Sequence, residues 1–183
     1  MKNKLIHIEC EQGSPAWFSA RAGHLSMSKL STVMNGTVKA KNNLLDELRL
    51  GKKKPNVNTP AMQWGKHYEP IARSVYELET GHKVREVGFY KLENMLIGGS
   101  PDGVVFENGY PIHGIEIKCP YNPEVHLKHC ANEINNNYFW QVHGYMWLLR
   151  LRCYDFVSYD NRADKKIHII RFRSSTDTYP KIT

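Results

Sequence analysis

Hydrophobic spacing along the chain switches between a helical and a strand period, and the switches mark the elements. Apolar positions recur at helical spacing over residues 60–80, where Trp64, Tyr68, Ile71, Val75 and Tyr76 form a stripe with Glu69 near its border. Thr59-Pro60 supplies a cap and a first-turn proline, and Gly81 a stop. The same period returns over 138–151, with Val142, Tyr145, Met146 and Leu149 apolar and Gln141 one position off the stripe. The asparagines at 135–137 read as a break before it. Shorter helices are predicted at 14–23, from Ser26 or Ser28 to Met34, at 42–50 and at 123–131. Strand patterning covers 5–9, 83–90, 95–100, 154–159 and 167–172. This order predicts an α/β fold, a mixed β-sheet with helices on its faces.

Residues 100–120, SPDGVVFENGYPIHGIEIKCP, concentrate the candidate chemistry. Glu107-Asn108-Gly109 is turn sequence, so the stretch reads as a hairpin. On its second strand Glu116 and Lys118 point to one face and Ile115 and Ile117 to the other, since side chains alternate. The hairpin lets Asp102 meet Glu116. Two carboxylates and an ammonium at one spot suit a hard cation bound by oxygen ligands. Phosphodiester hydrolysis needs an activated water, a stabilised anionic phosphorus and a leaving alkoxide, and carboxylate-held divalent metals serve all three. Asp102, Glu116 and the carbonyl of Ile117 would supply ligands; Lys118 would orient water or offset phosphate charge.

Charge sharpens this picture. The net charge of +7 favours a polyanionic partner, nucleic acid first. Lys52-Lys53-Lys54-Pro55 is a basic loop suited to phosphate contact or simple solvation. Apolar residues at 41% and charged residues at 23% suit a folded chain, read here as one domain over 1–183. No apolar run approaches the ~18 residues of a membrane span, and MKNKLIHIECEQ shows no secretion signal. The four cysteines form no C-x-x-C pair. A cytoplasmic protein with reduced thiols is expected.

Pro101-Asp102 followed by Glu116-Ile117-Lys118 resembles the PD-(D/E)XK nuclease pattern. Four blocks in order narrow the resemblance to the phage lambda exonuclease and YqaJ viral recombinase family: AWFSARAGHLSMSKL, WGKHYEPIARSVYELETG, SPDG with EIKCP, and YFWQVHGYMWLL. The resemblance implies a restriction-endonuclease-like core, a central mixed β-sheet flanked by α-helices. It implies catalytic roles for Asp102, Glu116, Lys118, Glu69 and Gln141. Asp102, Glu116, Ile117 (by its carbonyl) and Glu69 would bind metal, two magnesium ions with manganese as substitute. Arg21, Ser28 and Ser100 would hold a 5′-terminal phosphate, chemistry that suits a guanidinium and hydroxyls. Met62 would be an apolar wedge at the duplex end.

The implied activity is 5′-to-3′ exonuclease digestion of duplex DNA ends, leaving 3′ single strands for phage-type recombination. Implied partners are DNA ends, a single-strand annealing protein and further copies of the chain. GTVKAKNN reads as a shorter basic loop than the family carries, and the chain stops soon after the 167–172 strand; both put a ring-shaped trimer in question. The competing readings are an endonuclease on the same fold, a catalytically silent DNA-binding or inhibitor module, and an RNA-directed nuclease.

Overall fold

The computed structural model describes residues 3–50 and 58–174. The basic loop at 52–55 lies outside the described residues. Five strands form the sheet that carries the candidate chemistry. They are β3 (Val84–Arg85), β6 (Gly103–Glu107), β7 (Tyr110–Lys118), β8 (Cys153–Tyr159) and β9 (Ile167–Arg173), in that spatial order. The β6–β7 and β8–β9 pairs are antiparallel and β7–β8 is parallel, so the sheet is mixed as expected. Asn108 (φ 49°) and Gly109 (φ 80°) both take the left-handed conformation at the tip of the β6–β7 hairpin. Asn and Gly tolerate that conformation, and it matches the strand twist of a two-residue turn.

Two helices cover the sheet. On one face α4 (Pro60–Thr80) buries Ala72 and Tyr76 against Ile115, Ile117, Val157 and Tyr159. On the other, α6 (Asn136–Leu149) buries Val142, Tyr145, Met146 and Leu149 among Val104, Tyr154 and Phe156. Alternation along β7 thus sends its isoleucines toward α4 and Glu116 toward α6. α5 (Pro123–Cys130) packs on β8, where His126 and His129 both bond Ser158 Oγ at 2.8 Å.

The sequence expectation of one sheet is incomplete. A second sheet has the order β1 (Leu5–Ile8), β4 (Phe89–Leu92), β5 (Ile97–Gly99), β2 (Leu25–Ser26). The expected 83–90 strand is in fact split between the two sheets. Gly88 lies at the crossing, where a Cβ would stand 2.2 Å from the Ile8 carbonyl oxygen. Only a glycine allows that backbone approach.

Three helix boundaries also differ. Residues 135–137 start α6 rather than breaking the chain: Asn135 Oδ1 accepts from the amides of Asn137 (2.8 Å) and Tyr138 (3.2 Å). An Asn cap satisfies amides that a helix start leaves free. α3 runs Val38–Leu50, so all of GTVKAKNN after its first two residues is helix rather than loop; Thr37 Oγ1 accepts from the Ala40 amide. α2 (Leu30–Asn35) follows β2 and a single 3-10 turn, Met27–Lys29, that holds Ser28. The first helix, α1 (Pro15–Arg21), is capped by Ser14 as expected.

Candidate active site

Asp102 stands just before β6, and its Oδ2 accepts from the Ile117 amide at 2.7 Å. The carboxylate thereby extends the hairpin ladder by one bond and ties itself to the middle of the Glu116-Ile117-Lys118 triplet. Glu116 is 1% exposed rather than facing an open cleft, because α6 covers that face. Its Oε1 accepts from Lys118 Nζ and, at 2.6 Å, from Gln141 Nε2. Gln141 is off the apolar stripe because that position of α6 faces a carboxylate. Lys118 Nζ also lies 5.4 Å from the Tyr138 ring centroid.

Glu69 joins from α4. Its charge reaches Glu116, and the charges of Asp102 and Lys118 act on it in turn. Its Oε1 is 3.2 Å from Arg73 Nη2, and the same nitrogen donates to the Asp102 carbonyl at 3.2 Å. Arg73 was not singled out in the sequence, although it follows Glu69 by one helical turn, a spacing that pairs side chains.

Electrostatics reflect this crowding. Burial, then the Asp102 charge, raises Glu116 to about 8. The same two causes raise Glu69 to about 7, against the opposing pull of Arg73 and Lys118. Burial alone would lower Lys118, but Glu116 and Asp102 outweigh it and hold the ammonium above its ordinary range. The neighbouring Cys119 thiol is pushed up to about 12 by burial, which removes it as a nucleophile.

Arg21 and Ser100 come together through a residue the sequence reading left unassigned. Trp17 Nε1 donates to Ser100 Oγ at 2.7 Å, and the Arg21 guanidinium stacks 4.9 Å from the Trp17 ring centroid. With that lone pair occupied, the Ser100 hydroxyl keeps its own proton to donate. Tyr145 OH donates to the Ser100 carbonyl at 2.7 Å. Ser28 and Ser100 each lie two residues beyond the parallel register pair Ser26↔Gly98, and Ser28 Oγ is 3.1 Å from Ser26 Oγ. Met62 stands apart on the first turn of α4, 54% exposed.

Among the described residues no three His, Cys, Asp or Glu side chains are grouped tightly enough to hold a metal ion as they stand. The donor set nevertheless fits a hard divalent cation. Glu116 Oε2 is buried with no hydrogen-bond partner, an orphan acceptor beside other carboxylates that a cation would satisfy.

The mixed sheet clasped by helices carries an acid–acid–lysine cluster on its central hairpin, and likeness to known proteins makes the chain an enzyme of the nuclease class. The sequence model of the YqaJ-like viral recombinase domain matches residues 16–150, and the chain belongs to that family. Among solved structures it is similar to the alkaline exonuclease LHK-Exo from Laribacter hongkongensis, at 31% identity over 92% of this chain and 89% of that one, with a TM-score of 0.79. The structure of LHK-Exo in complex with dAMP aligns at 32% identity over 92% and 87%, with a TM-score of 0.81. A phage-related exonuclease from Haemophilus somnus 129PT shares the fold, at 18% identity over 97% and 89% and a TM-score of 0.57. No curated protein matches the sequence. The family expected from the four blocks is therefore the family found.

Proposed function

We propose that this nuclease is a DNA exonuclease that removes nucleotides from 5′ ends of linear duplex and leaves 3′ single strands. The observation that carries the reading is the joining of two groups of side chains through residues 100–102. Ser100 accepts from Trp17, on whose ring Arg21 stacks, and Asp102 accepts from Ile117 beside the carboxylate cluster. A terminal phosphate held at the first group would present the adjacent phosphodiester to the second.

In this reading Asp102, Glu116, Glu69 and the Ile117 carbonyl hold magnesium or manganese, two ions in the full site. Bound there, the metal supplies Lewis-acid stabilisation of the phosphoryl oxygens and a more acidic water. Gln141 holds the Glu116 carboxylate in place through its 2.6 Å bond. Lys118 carries a positive charge toward the anionic phosphorus. Arg21, Ser28 and Ser100 donate to the terminal phosphate, and exposed Met62 parts the end of the duplex. Residues 1–183 act as one nuclease unit, in the cytoplasm. The 3′ strands suit a single-strand annealing protein as the next partner, and further copies of the chain would hold the enzyme on DNA.

The test compares linear duplex carrying 5′-phosphate with 5′-hydroxyl ends, and covalently closed circles, each with magnesium. Faster loss of the phosphorylated ends, intact circles and an inactive Lys118→Ala variant are expected. Equal rates on both ends would remove the phosphate role from Arg21 and Ser100. Cutting of closed circles would make the protein an endonuclease, and full activity in Lys118→Ala would overturn the mechanism.

A further inference from the structure

The Arg73 side chain is only 12% exposed, yet it reaches three separate parts of the chain. Nη2 lies 3.2 Å from Glu69 Oε1 and donates to the main-chain carbonyl of Asp102 at 3.2 Å. Nη1 bonds the carboxylate of Glu86, which stands on the link between β3 and β4 and is 64% exposed. One planar guanidinium thus joins α4, the entry to the β6–β7 hairpin and the crossing between the two sheets. Asp102 is gripped at two points: Ile117 N–H holds its carboxylate and Arg73 holds its carbonyl. The same guanidinium pairs with the partly exposed Glu69 carboxylate.

We propose that Arg73 is a positioning residue of the active site: its Nη2 ties the Glu69 carboxylate to the Asp102 main chain while Nη1 anchors the guanidinium plane on Glu86, so that the cation ligands are set before substrate arrives. The inference rests on the reading of Asp102, Glu116 and Glu69 as metal ligands. The two-nitrogen plane is essential to it. A lysine keeps the charge, but it has one flexible ammonium and so cannot hold Glu69 and Asp102 while anchored on Glu86. Positioning and simple electrostatics have opposite signs here. A nearby cation repels a divalent ion, so an electrostatic role makes removal of Arg73 tighten metal binding. A positioning role makes removal weaken it.

The experiment measures Mn2+ binding to the DNA-free protein by electron paramagnetic resonance of the free ion. Thermal melts in chelator and digestion at varied Mn2+ accompany it. Arg73→Ala weakens Mn2+ binding by roughly 10- to 100-fold, the usual effect of removing a partner that orients metal ligands. The half-saturating Mn2+ for digestion rises in parallel, while KM for DNA at saturating metal stays put, because Arg73 orients ligands rather than the strand. Arg73→Lys recovers little of the loss. Glu86→Gln, which removes one outer anchor, gives a smaller loss of a few-fold.

Binding in Arg73→Ala as tight as in the wild type, or tighter, would overturn the proposal. So would full recovery in Arg73→Lys, which would show that charge alone matters. If Arg73→Ala does not fold, Glu86→Gln decides, and unchanged Mn2+ binding there counts against it. Wild-type protein that binds no Mn2+ would sink the metal reading and this inference together. Wild-type binding with an unaffected Arg73→Ala would sink only the role of Arg73.

Discussion

Glu116→Gln should stabilise the metal-free protein while destroying its activity. Glu116 is fully buried, shares its surroundings with Asp102 and Glu69, and is raised from 4.5 to about 8. Between those two pH values the folded state holds more protons than the unfolded state, so stability falls as pH rises through the window. A rise of that size would correspond to no more than about 5 kcal/mol at pH 9. An effective dielectric nearer 20 than 4, and loss of the Lys118 partner in the variant, leave about 2 kcal/mol. The substitution keeps an acceptor for Gln141 and Lys118, and the orphan atom at Oε2 becomes part of a neutral amide. Thermal melts in chelator at pH 5, 7 and 9 read the effect. The variant should melt about 4–8 °C above the wild type at pH 9 for a chain of this size, with the gap closing toward pH 5. A variant that melts below the wild type at pH 9 would refute the idea that carboxylate crowding strains the empty site.

Three further outcomes follow from other parts of the molecule. Tyr76 OH donates to the buried Asp155 carboxylate at 2.8 Å, so Tyr76→Phe should cost about 2 kcal/mol, as for hydrogen bonds to charged groups; an unchanged urea midpoint would contradict this. Asp155, held by Arg171, His113 and Tyr76, lies well below the usual carboxylate range despite its burial, so its stabilisation is complete above the unfolded value and lost as pH falls. The stability gap between wild type and Asp155→Asn should therefore shrink below about pH 4, and a gap constant from pH 6 to 3 would count against the assignment. Gly99→Ala would place a Cβ 2.7 Å from Tyr145 Cε1, displacing the ring whose hydroxyl holds the Ser100 carbonyl. It should cost about 1–3 kcal/mol and reduce any preference for 5′-phosphorylated ends; an unaltered melt and an unaltered preference would show that the ring moves freely.

Local patterning determined a great deal. Period-2 alternation placed Glu116 and Lys118 opposite Ile115 and Ile117, Asn108-Gly109 set the hairpin, and Thr59, Pro60 and Gly81 bounded α4, because each signal acts over a few bonds. Four spaced blocks made the family legible for the same reason: each is a local motif in a fixed order. Tertiary structure decided what depends on distant segments meeting. The reach of Trp17 to Ser100, the burial of Glu116 beneath α6 and the division of residues 83–90 between two sheets have no local signature. Arg73 shows both sides. Its spacing from Glu69 was readable one helical turn away, but its hold on Asp102 and Glu86 exists only where α4 crosses the start of the hairpin. Long-range contacts such as these are set by how helices and sheets pack, and packing is fixed by the whole chain at once.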